Sequence, residues 1–65
     1  MNQTAFLALV QAIYQLQEIA SGLYDASSVV SGQGALSDAT LLQRVADKIY
    51  KESENVDVLL TEMEG

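Results

Sequence analysis

Residues 16–24 read Leu-Gln-Glu-Ile-Ala-Ser-Gly-Leu-Tyr, and the pattern returns 26 residues later as Leu-Gln-Arg-Val-Ala-Asp-Lys-Ile-Tyr at residues 42–50. Both copies place apolar residues three and four apart, the spacing of one face of an α-helix. Between them lies Ser-Gly-Gln-Gly at residues 31–34, and glycine is typical of the left-handed residue that ends a helix. The repeat therefore predicts an all-α fold: two matched helices joined by a short turn as an antiparallel hairpin.

Capping signals set the expected limits of the two helices. Asn2 is the expected N-cap of the first helix, and Ser37, followed by Asp38, is the expected N-cap of the second. Gly32 is expected to take the left-handed conformation that ends the first helix. The sequence predicts one helical-hairpin domain over residues 1–65, with a helix over 3–31, a loop over 32–36 and a helix over 38–63.

Aligning the two copies gives a coiled-coil heptad register, written abcdefg, whose a and d positions form the seam between the helices. Residues that face each other across the seam then have numbers that sum to 69, so small residues such as Ala20 and Ser53 meet the large residues Ile49 and Leu16. Such complementation keeps the volume of each core layer constant. The pattern of small a residues and large d residues resembles that of the plasmid copy-control RNA-binding hairpin dimers.

The two flanks of the seam differ in polarity. The g positions are apolar except for Glu52, whereas the e positions combine tyrosine, amide and carboxylate side chains. An apolar stripe that is wider than one partner helix covers predicts a second hairpin against the g flank, in a homodimeric four-helix bundle. The predicted oligomer interface consists of Ala12, Ile19, Ala26, Val45, Glu52 and Leu59. The predicted partner-binding residues are Gln17 opposite Tyr50, Tyr24 opposite Gln43, and Asp57.

Several of these residues have a second interpretation. Tyr24 and Tyr50 can cap their own seam instead of docking a partner, because a tyrosine ring is apolar while its hydroxyl reaches water. Glu52 can extend to the rim and pair with Lys48, or it can penalise wrong pairings within an apolar interface. The only three cations fall within residues 44–51 and have acids three or four residues away, so we expect them to be neutralised on their own helix.

Composition argues against several classes of function. The 65 residues include no cysteine and no histidine, and the net charge is −6 with only three Lys or Arg residues. These counts argue against disulfides, Cys/His zinc sites, an enzymatic nucleophile with its base, and binding to a phosphate backbone. We expect no cofactor and no metal. No basic leader segment is visible, and the apolar run 5–14 is too short to span a bilayer, so we expect a cytoplasmic protein without a membrane partner.

The sequence therefore predicts a non-enzymatic protein–protein interaction module. We expect an acidic regulator, an inhibitor, antiactivator or adaptor of the kind that phages or plasmids encode, whose partners are itself and another protein. One alternative is a structural subunit of a virion, filament or shell, because the first helix has only Glu18 and Asp25 as charges. Another is an RNA-binding hairpin dimer, which the small number of cations disfavours.

Overall fold

The computed structural model describes residues 1–64 and contains two α-helices, α1 (Gln3–Gly32) and α2 (Leu36–Glu64). The helices pack along each other in a rod whose Cα atoms extend over 48 × 16 × 10 Å. Ser27 contacts Ala39 beside the turn, and Phe6 and Thr61 share one groove at the open end, so the helices run antiparallel. The predicted helical hairpin is confirmed. Gly65 lies outside the described residues.

The helix starts agree with the sequence for α1 and differ for α2. Asn2 caps α1 as predicted, since its Oδ1 accepts a hydrogen bond from the Ala5 N–H at 3.1 Å and satisfies a free donor of the first turn. By contrast, α2 begins at Leu36, two residues before the predicted start. Ser37 therefore lies inside the first turn and is not the N-cap. Asp38 lies in that turn, where its charge suits the positive end of the helix dipole.

The turn is a Schellman motif built on Gly34, which has φ +86°. The Gly34 N–H donates to the Ser31 carbonyl at 3.0 Å, and the Ala35 N–H donates to the Val30 carbonyl at 3.2 Å. This pair of bonds closes a helix that is followed by one left-handed residue. The prediction that Gly32 takes the left-handed role was wrong, because α1 continues through Gly32. The loop is consequently shorter than predicted and covers residues 33–35.

Small side chains at the centre of the seam let the helices approach closely. Ala20, Ala46 and Ser53 have 0% exposure, while the larger seam residues around them are half-buried, apart from Leu60, which is buried. The Ser53 hydroxyl donates to the Tyr50 carbonyl at 2.6 Å, so its burial leaves no unpaired donor. Throughout residues 1–64, no buried side-chain nitrogen or oxygen lacks a hydrogen-bond partner. The seam is therefore narrow. Its buried polar side-chain atoms are all hydrogen-bonded, and most of its large apolar side chains are only partly covered.

Replacing Gly34 with alanine is expected to destabilise the hairpin by about 1 to 2 kcal/mol, because a Cβ disfavours the left-handed conformation. Gly32→Ala is the matched control. A Cβ at Gly32 meets nothing within 4 Å, and alanine is favoured over glycine in a helix by up to about 1 kcal/mol, so stability should hold or rise. Urea unfolding monitored by circular dichroism at one protein concentration compares the two variants. Equal losses at both positions would contradict the assigned turn.

Candidate functional site

Two broad faces flank the seam, one on the e side and one on the g side. We call them the tyrosine face and the apolar face. The tyrosine face comprises Tyr14, Gln17, Tyr24, Gln43, Asp47, Tyr50, Glu54 and Asp57. The apolar face comprises Ala12, Ile19, Ala26, Leu41, Val45, Lys48, Glu52, Asn55 and Leu59. All predicted partner-binding residues thus lie on the first face and all predicted interface residues on the second.

The tyrosine face has two shallow grooves between the helices. The groove beside the turn has a volume of about 530 Å³, and the groove at the open end has a volume of about 390 Å³. Four of the five predicted partner-binding residues line these grooves: Tyr24 and Gln43 beside the turn, Gln17 and Asp57 at the open end. The fifth, Tyr50, lies on α2 between the two grooves and is 45% exposed.

Tyr14 belongs to the tyrosine face although the sequence analysis did not select it. It lines the open-end groove and is 67% exposed, so all three tyrosines of the chain share one side of the hairpin. The signal was available, because Tyr14 precedes Gln17 by three residues, a spacing that returns to the same side of a helix. Tyr14 occupies a b position beside the e row, whereas the five predicted partner-binding residues all belong to the e row.

A hydrogen bond joins the two helices across the tyrosine face. The Tyr24 hydroxyl donates to Oδ1 of Asp47, and this bond raises the pKa of Tyr24 above its ordinary value of 10.0, because the carboxylate stabilises the protonated phenol. Burial and the negative charge of Asp47 raise the pKa further. Gln43, predicted to lie opposite Tyr24, lines the same groove, and the Tyr24 hydroxyl reaches Asp47, one turn further along α2.

The open-end groove combines an apolar floor with polar walls. Phe6, Val10, Ile13 and Leu60 supply apolar lining, and Tyr14, Gln17, Asp57 and Thr61 supply polar lining. No Lys or Arg lies within four residues of Asp57 on α2, whereas Asp47 has Lys51 four residues away. The negative charge of this groove is therefore less compensated than that of the turn end.

The apolar face leaves large side chains in solvent in the single chain. Exposure is 52% for Ile19, 59% for Leu41 and 61% for Leu59. Glu52 is also exposed, and its Oε1 accepts a hydrogen bond from Nδ2 of Asn55 at 3.4 Å. Lys48, Glu52 and Asn55 interrupt this apolar row on α2, and exposed apolar side chains grouped in this way are typical of interaction surfaces.

The described geometry also bears on whether the chain has a metal site or a membrane-spanning helix. In the described part of the chain, no group of three or more Asp, Glu, His or Cys residues is arranged to hold a metal ion. Neither helix over residues 1–64 is long and apolar enough to cross a membrane. The chain matches no protein-family model, no curated protein and no solved structure, so its own residues provide the functional argument.

Tyr24 is expected to ionise above the ordinary tyrosine pKa of 10.0, and Asp47→Asn should bring its pKa back toward that value. Because the pKa is raised in the folded state, the stabilisation by the Tyr24 hydrogen bond is fully present below pH 10.0 and is lost as pH rises through the raised value. Ring-carbon NMR titration measures each tyrosine separately. Asp25→Asn, the same charge change elsewhere, is the control, and an equal shift in both variants would contradict a specific Tyr24–Asp47 bond.

Proposed function

We propose that the chain is a non-catalytic protein–protein interaction module, a small acidic inhibitor, antiactivator or adaptor. Its tyrosine face docks on a basic surface of another protein, and its apolar face packs against a second hairpin in a four-helix bundle. The observation that supports this most directly is the open-end groove, where the exposed ring of Tyr14 and the carboxylate of Asp57 flank an apolar floor.

The chemistry of this groove suits a lysine or arginine side chain of the partner. The aliphatic stem of such a side chain would cover the apolar floor, and its charged head would meet a carboxylate. A tyrosine ring attracts a cation placed over its face, by about 0.5 to 1 kcal/mol at exposed sites. The net charge of −6 also speeds the encounter with a basic partner. Tyr50 lies on the same face, nearer the turn, and supplies a second large aromatic contact of the kind enriched at interfaces.

The absence of histidine and cysteine from the sequence supports a non-catalytic role, because these residues provide most general bases and reactive nucleophiles at neutral pH. The carboxylates are the other side chains that could act as general bases, and they are largely solvent-exposed. Such carboxylates recognise cations more readily than they transfer protons at neutral pH.

A structural subunit of a multi-copy assembly is the second candidate. It is favoured by exposed apolar side chains away from the seam: Leu7 is 54% exposed, Val29 is 61% exposed and Val58 is 55% exposed. These residues are distributed along the outer surfaces of both helices, so a chain surrounded by several neighbours would cover them. Growth of the assembly beyond a closed dimer distinguishes this candidate from the interaction module.

The docking proposal is tested by using the untagged hairpin, coupled to beads, to capture proteins from cells of its source and by measuring the affinity of each purified partner in solution. Tyr14→Ala, Tyr50→Ala and Asp57→Asn are each expected to weaken binding about tenfold or more, as central interface residues do. Val58→Ala, an exposed apolar truncation outside the tyrosine face, is the control and should bind as tightly as the wild type. Unchanged affinity in all three variants would exclude this face as the docking site.

A further inference from the structure

The apolar face has a symmetry along α2 that the seam does not require. Leu41 and Leu59 lie nine residues on either side of position 50, and Lys48 and Glu52 lie two residues on either side of it. A second copy of α2, laid antiparallel with its centre at position 50, would set leucine against leucine and Lys48 against Glu52 at two places. A surface that complements itself after a rotation of 180° is what a two-fold dimer requires.

The same rotation also gives favourable contacts on α1. Cross-helix hydrogen bonds join Tyr24 to Asp47 and Ser27 to Ala39. The residue numbers of these two pairs sum to 71 and 66, so the stretch of α2 at the height of Ile19 is residues 47–52. Ile19 therefore lies at the height of the symmetry centre of α2. An axis at this height brings Ile19 against Ile19 of the second copy.

Small residues on α1 would allow a second helix to approach. With Ile19 at the axis, the rotation sets Ala12 against Ala26 of the second copy. Gly22 lies in the adjacent c row, three residues from Ile19, and a Cβ there would meet nothing within 4 Å in the single chain. Glycine inside a helix costs about 1 kcal/mol relative to alanine, and nothing within one hairpin offsets that cost. A closely packed neighbouring helix would.

We propose that the apolar face binds a second copy of this chain about a two-fold axis that passes between Ile19 and position 50, perpendicular to the helices. Helix α1 packs on α1 of the second copy and α2 packs on α2. This inference rests on the bundle proposed above and adds the identity and orientation of the second hairpin. The rod measures 48 × 16 Å at its Cα atoms, which matches the scale of the ~800 Å² per partner buried in stable interfaces.

Lys48 and Glu52 also determine the register. A slide of one heptad in one direction sets Lys48 against Leu59 and Val45 against Glu62, and a slide in the other sets Leu41 against Glu52 and Val45 against Lys48. Each slide buries a charge against an apolar side chain, which is costly without an opposite charge. Only the register centred on position 50 pairs Lys48 of each copy with Glu52 of the other.

The less favourable pairs lie away from the centre. Val45 meets Asn55 of the second copy, whose amide already donates to Glu52. Asp38 meets Glu62 at each end of the interface, where both side chains are exposed and salt screens their repulsion.

Cysteine crosslinking tests the position of the axis, because the chain has no cysteine of its own. Ile19→Cys is expected to give a disulfide-linked species of twice 7.0 kDa under mild oxidation, since a disulfide needs Cα atoms within about 7 Å. Leu59→Cys is the matched control. Its counterpart in the second copy is about 27 Å away along the helix, so it should crosslink only when mixed with the Leu41→Cys variant.

Sedimentation equilibrium of the wild type and the reduced variants, from micromolar to millimolar concentration, completes the crosslinking test. A dimer that fails to crosslink through Ile19→Cys overturns the proposed orientation but not the bundle. A chain that remains at 7.0 kDa overturns both, and a mass that grows without limit overturns the closed two-fold arrangement. Partner capture by the tyrosine face is measured separately, so its result stands in each case.

A charge exchange tests the register independently. Lys48→Glu is expected to weaken dimerisation at least tenfold, because it places like charges together at both symmetric contacts. Lys51→Glu changes the net charge equally on the outer side of α2 and should leave the dimer unchanged. Combining Lys48→Glu with Glu52→Lys should restore the affinity. Helicity measured below the dissociation concentration separates this effect from a loss of helix, and failure of the double variant to recover the dimer would refute the proposed register.

Discussion

Close contact between the helices at Ala20, Ala46 and Ser53 is the constraint on which the rest of the structure depends. These residues are completely buried and bring the two helix axes together, so the larger seam residues pack around them at the edges. A core whose centre is alanine and serine removes little apolar area from water, and burial stabilises by only about 25 cal/mol per Å². The hairpin is therefore an incomplete unit: its own seam cannot cover the apolar side chains that its helices present.

The two faces left beside this seam differ in whether a second copy can bind them. On the apolar face, a two-fold rotation pairs leucine with leucine and lysine with glutamate. The same operation on the tyrosine face brings Asp47 within one residue of Glu54 of the second copy, and like charges in contact oppose association. This repulsion disfavours a second copy on the tyrosine face and suits the basic partner proposed above. Charge placement on α2 separates self-association from partner binding.

Sequence periodicity predicts features that repeat along a helix. It fails where a single residue determines the local structure. The hairpin, its seam and the membership of both faces follow from spacings of three, four and seven residues. The turn does not, because Gly32 and Gly34 offer the same left-handed freedom and only the length of α1 selects between them. Likewise, the register places Tyr24 opposite Gln43, but the long side chain of Tyr24 reaches Asp47. Side-chain reach and helix length are set by packing, which the heptad pattern does not contain.

Self-association and docking are physically coupled in such a thin protein. A two-fold axis on the apolar face directs the two tyrosine faces outward on opposite sides of the bundle, so a dimer offers two equivalent docking surfaces and gains avidity on a partner with paired sites. Any ligand that binds only the folded hairpin also stabilises it by mass action. Because the isolated seam is weak, the proposed second copy would supply stability that holds Tyr14, Tyr50 and Asp57 in the proposed docking arrangement. The apolar face thus contributes to partner binding without contacting the partner.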